Sequence, residues 1–148
     1  MNLFSDIRAC VIDALAGMVA AGELPEGLDT GAVTVEPPRD PAHGDMATNA
    51  AMVLAKPARR KPREIAEALA ARLQGDDRIT SAEVAGPGFL NLRIAADEWR
   101  KVLRVALESG ADFGRSDMGQ GRKVNVEFVS ANPTGPMHVG HTRGAVFG

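Results

Sequence analysis

The sequence predicts an α+β fold: helices packed on one mainly antiparallel sheet, followed after a glycine-rich break by the first strand and helix start of a second unit. Three observations predict it. Runs with helical apolar spacing alternate with short runs of β-formers; the run "ITSAEVAGPGFLNLRI" has hairpin layout; and "ADFGRSDMGQGR" loses all periodicity before "KVNVEFV" resumes an alternating pattern. At 148 residues and 45% hydrophobic, the chain is long enough to bury a core.

The first element is a helix over "FSDIRACVIDALAGMVAAG", with Ser5 as N-cap, Ile7, Val11, Ala14, Leu15 and Met18 on one face, and Gly22 as its stop. "AVTVE" reads as a strand closed by Pro37 and Pro38, which cannot continue a ladder. Asp45 then caps a helix over "MATNAAMVLAK", whose small residues allow close packing. Pro62 suits the first turn of the next helix, in which Ile65, Leu69 and Leu73 share a face and Gly75 ends the run.

Strand alternation in "FLNLRI" sends Leu90, Leu92 and Ile94 to the core and leaves Phe89, Asn91 and Arg93 on the other face. Two readings of that face stand. Phe89 can stack on an unstacked base while Asn91 pairs with an adenine edge and Arg93 holds phosphate, or Phe89 can lie under the first helix with Asn91 a surface amide. The helix "DEWRKVLRVALESG" follows, with Asp97 as N-cap and Trp99, Val102, Leu103 and Ala106 inward. These elements make residues 1–110 one domain, 111–121 a linker and 122–148 the start of another.

Charge is uneven. Residues 1–55 are net −6 and residues 56–148 net +4, so an anionic partner finds its complement in the later part. "KPARRKPR" places Arg59, Arg60 and Lys61 in one prolyl segment, either a phosphate contact or a solvated loop between helices. Cys10 stands alone, which excludes an intrachain disulfide and fits a reducing, cytoplasmic setting. No apolar stretch reaches a membrane span, and the start lacks signal-peptide blocks.

The end of the chain carries the chemistry. "KVNVEFV" reads as a strand suited to a buried parallel sheet. "SANPTGP" then delivers His138 and His141 to the first turn of a helix, where three-residue spacing puts both on one face as phosphate donors. Gly140 between them leaves room for a flat adenine against the backbone. Such a site stabilises charge on a phosphate under attack without a covalent nucleophile. A zinc site would need His43 as third nitrogen ligand, with Cys10 far off in sequence, so no metal is assigned; chance occurrence of H-x-G-H is the other alternative.

The longer run "EFVSANPTGPMHVGHTR" resembles the signature of class I arginyl-tRNA synthetases, and "HGDMATNAA", "GPGFLNL" and "FGRSDMGQGRKV" are similar to the additional N-terminal domain of bacterial members. Met137 stands where another aliphatic residue is usual, a volume-conserving change. The resemblance implies an N-terminal piece: the additional domain plus the first strand and helix start of a Rossmann-type catalytic domain, inactive by itself because the second nucleotide loop is missing. It further implies that His138 and His141 contact ATP phosphates, Gly140 lies against adenine, Glu127 pairs with the guanidinium of arginine, and Ser130, Asn132 and His138 hold the amino-acid head group. Phe89 and Asn91 fall where related domains read a D-loop nucleotide of tRNA(Arg). ATP with Mg2+ enters as substrate, and the protein is expected to be a monomer. Two rival classes are a small H-x-G-H nucleotidyltransferase, which would place its motif near the start of its fold, and a free-standing RNA-binding module with inert histidines.

Overall fold

A computed structural model describes residues 2–132 and 134–148. Among them are five α-helices and four strands. In chain order these are α1 (Leu3–Ala20), β1 (Val35–Glu36), β2 (Met46–Thr48), α2 (Ala50–Ala58), α3 (Pro62–Leu73), β3 (Ile79–Ala85), β4 (Phe89–Ile94), α4 (Ala96–Ser109) and α5 (Val139–Phe147). The sheet runs β1-β2-β4-β3, antiparallel throughout, as the predicted fold class requires. The chain divides into two compact units, Met1–Phe113 and Gly114–Gly148.

In the first unit the helices cover one face of the sheet. Helix α1 buries Ile7, Val11, Leu15 and Met18, the predicted stripe, and stops just before Gly22, whose positive φ lets the chain leave. Its cap is Asn2, which accepts from the Ser5 amide, so Ser5 lies inside the helix and not at its cap. Helix α3 starts on Pro62 and buries Ile65, Leu69 and Leu73 against the sheet. Small Ala50, Ala51, Ala55 and Ala58 make the buried face of α2 and allow its close approach.

The segment from Asp45 departs from expectation. Met46–Thr48 is a central strand, pairing with β1 on one side and β4 on the other, and the helix starts only at Ala50. Asp45 caps no helix: its amide donates to the Leu92 carbonyl at 2.9 Å and its carboxylate accepts from the Ile94 amide at 2.8 Å, extending the ladder. Asn49 accepts from the Thr34 amide (2.8 Å) and donates to the Ala32 carbonyl (3.2 Å), tying the entry of β1 to the start of α2.

Helix α4 is also turned from its predicted orientation. Its N-cap is Ala95, with Asp97 in the first turn. Glu98 is buried and paired with Lys101 at 2.5 Å, and Val102 packs on the core. Leu103 is 59% exposed and Trp99 39%, so neither is an inward residue, although Trp99 meets Phe4 edge-on at 6.5 Å. The side of α4 that meets the first unit is thus the one carrying Glu98 and Val102, and the Trp99, Leu103 and Leu107 stripe is exposed.

One polar cluster anchors α1 to the α3–β3 turn. The Asp76 carboxylate accepts from the Arg78 amide and guanidinium at 2.7–2.9 Å and from the Cys10 thiol at 3.1 Å. The Arg78 hydrogen bonds hold the Asp76 carboxyl well below the usual range, and burial pushes the Cys10 thiol up to about 11. Cys10 is thus a protonated donor at neutral pH and a poor nucleophile.

The second unit contains one helix and no strand among the described residues. The predicted strand over "KVNVEFV" is not formed, and Val124, Val126 and Phe128 are exposed. A parallel strand is held by neighbours hydrogen-bonded on its flanks, and nothing in residues 114–148 supplies one. The expected first strand of a Rossmann-type domain is thus not seen among the described residues, where the second unit forms only α5.

Candidate functional site

The outer face of the sheet is open. Strand register places Glu36 opposite Ala47, Ala47 opposite Asn91, and Asn91 opposite Glu83, one row across all four strands. The inward neighbours Leu90 and Leu92 are fully buried, which fixes the parity of the whole face. Phe89 is 43% exposed and stands on the side away from α1, so the helix does not cover it. A cavity of about 500 Å³ opens here, lined among others by Phe89, Asn91, Ala47, Glu36, Arg39 and His43.

Two glycines next in sequence to residues that line this cavity, Gly44 after His43 and Gly88 before Phe89, have backbone conformations that strain any other residue. Gly44 has φ +127°, and a Cβ there would sit 2.7 Å from the Leu92 carbonyl oxygen. The 3₁₀ turn Pro41–His43 before it is capped by Asp40, and the Arg93 guanidinium donates to the Ala42 carbonyl at 3.0 Å. Arg93 therefore braces the loop that carries His43. At the other end, Gly88 has φ +152°, and a Cβ there would lie 2.7 Å from Pro62 Cβ and 3.0 Å from its carbonyl carbon. That approach sets the turn between α2 and α3 directly against the first residues of β4.

The same turn carries the predicted cations. Lys56 lies within α2, and Arg59 is its left-handed C-cap with φ +52°. Arg60 donates to the Glu23 carbonyl at 2.6 Å and lies 3.9 Å from Glu64, while Lys61 is 3.8 Å from the same carboxylate. Arg60 thus also holds the turn after α1. These exposed pairs are worth little individually and leave the side chains free to exchange partners.

In the second unit, His138 is the N-cap of α5. Its Nδ1 accepts from the Gly140 amide at 3.1 Å, and the His138 amide donates to Nδ1 of His141 at 3.4 Å. The rings stack with centroids 3.8 Å apart and planes at 24°. Because each Nδ1 accepts a backbone hydrogen, the neutral form of each ring has its proton on Nε2, so one helix end carries two ring donors. Gly140 has a local reason to be glycine: a Cβ would stand 3.0 Å from the His138 ring. Glu127, Ser130 and Asn132 lie exposed in the irregular segment before the helix, and no hydrogen bond or ion pair joins them to either histidine.

Sequence patterns missed Glu36, Ala47 and Arg39 at the outer face. They are neighbours of Asn91 only through β2, a segment in which the sequence predicts a helix. His43 was weighed only as a metal ligand; among the described residues no group of three or more His, Cys, Asp and Glu is gathered. No helix is long and apolar enough to cross a membrane among the described residues.

Comparison with known proteins gives these features a family. Residues 5–94 match the model described as the arginyl tRNA synthetase N terminal domain. The arginine–tRNA ligase of Paracoccus denitrificans (strain Pd 1222) is 77% identical over all 148 residues, and that of Ruegeria sp. (strain TM1040) 74%. This chain spans 26% of the length of each. The arginyl-tRNA synthetase of Thermus thermophilus is 30% identical over 93% of this chain and 21% of its own, with a TM-score of 0.48. On the family match and the whole-chain identity, this chain belongs to the arginyl-tRNA synthetase N-terminal domain family and corresponds to the N-terminal region of those ligases.

Proposed function

We propose that the protein of which these residues form the N-terminal part activates arginine with ATP and transfers it to tRNA(Arg), in the cytoplasm. In this reading Met1–Phe113 grips the tRNA and the H-x-G-H segment contributes to the ATP site. The observation that carries the tRNA contact is the uncovered Phe89 beside Asn91 on the open sheet face, above a cavity of about 500 Å³. An aromatic ring offers a stacking platform for an unpaired base, and a neighbouring amide reads its edge. Arg59, Arg60 and Lys61, set against the head of β4 by the Gly88–Pro62 approach, hold the backbone phosphates without reading sequence.

For activation, a carboxylate oxygen of arginine attacks the α-phosphorus of ATP, and pyrophosphate leaves with its Mg2+. The Nε2–H groups of His138 and His141 donate to phosphate oxygens as negative charge builds on them, and Gly140 lets adenine approach the backbone. Glu127 pairs with the arginine guanidinium in planar, bidentate fashion, and Ser130, Asn132 and His138 hold the head group. In this reading these groups are assembled only in the longer protein and the chain alone is inactive; that residues 124–128 form no strand supports it.

Photocrosslinking tests the tRNA contact. With benzoylphenylalanine in place of Phe89, irradiation in the presence of tRNA(Arg) is expected to label a D-loop nucleotide, and the same probe in place of the opposite-face Leu107 is expected to label none. Crosslinks confined to the acceptor stem, or equal labelling from both positions, would refute the assignment of this face.

A further inference from the structure

We infer that Gly144 and Gly148 are positioning residues for arginyl-adenylate formation. They admit the backbone of Phe128 against α5, and so fix the spacing between residues 127–130 and the helix end that carries His138 and His141. This rests on the proposed activation of arginine by ATP, and it names what holds the two halves of that site together.

The geometry lies within the second unit. Gly144 is inside α5 and Gly148 closes it four residues on, so both share one side of the helix with His141. Among the described residues of 114–148, Val129, His141 and Gly144 are partly covered and all others are exposed. A Cβ at Gly144 would stand 2.6 Å from the Phe128 carbonyl oxygen. One at Gly148 would overlap the Phe128 ring and come 2.8 Å from its Cβ. The chain therefore crosses this side of α5 at Phe128, with its carbonyl over one glycine and its ring over the next.

Glycine in a helix interior is less favourable than alanine, so a methyl group at Gly144 would favour α5 taken alone. What a methyl group cannot do is leave room for the carbonyl. That oxygen belongs to the backbone and yields only if residues 127–130 move with it. Glu127 is bonded to Phe128 and Ser130 lies two residues on, so the contact governs groups assigned to arginine. His141 lies one turn before Gly144, so the contact governs a group assigned to phosphate as well. The reaction joins the two: a bond forms from a carboxylate oxygen to the α-phosphorus as the bond from that phosphorus to pyrophosphate breaks. Reacting atoms must be held about 3–3.5 Å apart, and a misplacement of about 1 Å costs on the order of 100-fold in rate. Widening the gap between α5 and residues 127–130 leaves each half able to bind its own substrate, so the loss falls on kcat and not on KM.

The test uses the full-length protein and arginine-dependent exchange of pyrophosphate into ATP, with tRNA(Arg) present. Gly144→Ala is expected to lower kcat by about tenfold while KM for arginine and for ATP stays within about twofold. Its affinity for tRNA(Arg) is expected to match wild type, because Met1–Phe113 is a separate compact unit. Gly148→Ala is expected to lower kcat as well. Phe128→Ala then tells the two positions apart: removing the ring recovers part of the rate in Gly148→Ala and none in Gly144→Ala, where the clash is with backbone. Wild-type kcat in Gly144→Ala, a change confined to one KM, or equal recovery of both variants by Phe128→Ala overturns the assignment. Should Gly144→Ala not fold, the Gly148→Ala pair decides, and no recovery in its double variant overturns the assignment too. If wild type itself shows no arginine-dependent exchange, the adenylation reading falls and this one with it; an active wild type beside unimpaired variants sinks this one alone.

Discussion

In the full-length protein, replacing His138 or His141 with alanine is expected to slow arginyl-adenylate formation by about 2–4 kcal/mol of transition-state stabilisation, the scale of one removed donor. The rings stack at the N-terminus of α5 and their Nδ1 atoms are occupied by backbone amides, which leaves the Nε2–H groups as the ring donors for a phosphate. Charge on the phosphate oxygens rises during attack at phosphorus, so the donors act more on the rate than on ground-state affinity. His138→Ala also removes a helix cap, worth about 0.5–2 kcal/mol. His138→Asn separates the two roles: asparagine caps well, so the helix is retained while the ring donor is lost. Pyrophosphate exchange should stay slow in His138→Asn. A change confined to the Michaelis constant for ATP would make the histidines ground-state ligands, and recovery of rate in His138→Asn would make His138 a cap and nothing more.

Gly44→Ala and Gly88→Ala are expected to destabilise the first unit by about 2–4 kcal/mol each. Backbone at φ +127° or +152° costs a non-glycine residue on the order of 1–3 kcal/mol, before any clash. Here the added methyl also meets fixed backbone: the Leu92 carbonyl at 2.7 Å in one case, the Pro62 carbonyl carbon at 3.0 Å in the other. Neither neighbour can yield without opening the β2–β4 ladder or moving α3. Gly22→Ala makes the comparison, with φ +72° and nothing within 4 Å, and is expected to cost only about 1 kcal/mol. Thermal melts followed by circular dichroism would rank the three. Equal losses at Gly22 and Gly44 would show that the close approaches are not rigid.

The elements that were legible in the sequence share a property: they bury one face over enough turns or residues for the period to show. The α1 and α3 stripes and the Leu90, Leu92 and Ile94 alternation are of this kind, and with them came the outward parity of Phe89 and Asn91. The three-residue β2 was not legible. Met46–Thr48 has no room for a period, and its strand state is fixed by pairing with β4, some 45 residues away in sequence. With β2 unseen, the Glu36–Ala47–Asn91 row had no way to appear. For α4 the period was present but its direction was not: the apolar stripe of Trp99, Leu103 and Leu107 is exposed while Glu98 is buried and Val102 packs on the core, and a period alone does not say which neighbour its apolar side meets. The run from Val124 to Phe128 has strand composition, yet composition supplies no hydrogen-bonding neighbours.

The central claim is that the open face of this sheet is an RNA-reading surface, and titration of the folded chain with tRNA(Arg) tests it most directly. Phe89→Ala is expected to weaken binding by about 1–3 kcal/mol, the scale of one base–aromatic stack, with no loss of melting temperature because Leu90, Leu92 and Ile94 carry the core from the opposite side. Asn91→Ala should cost most against the tRNA whose D-loop base it matches, whereas neutralising Arg59 and Lys61 should weaken all tRNAs alike and flatten the salt dependence. The contradictory result is a Phe89→Ala chain that melts several degrees lower while its folded fraction binds tRNA as tightly as wild type.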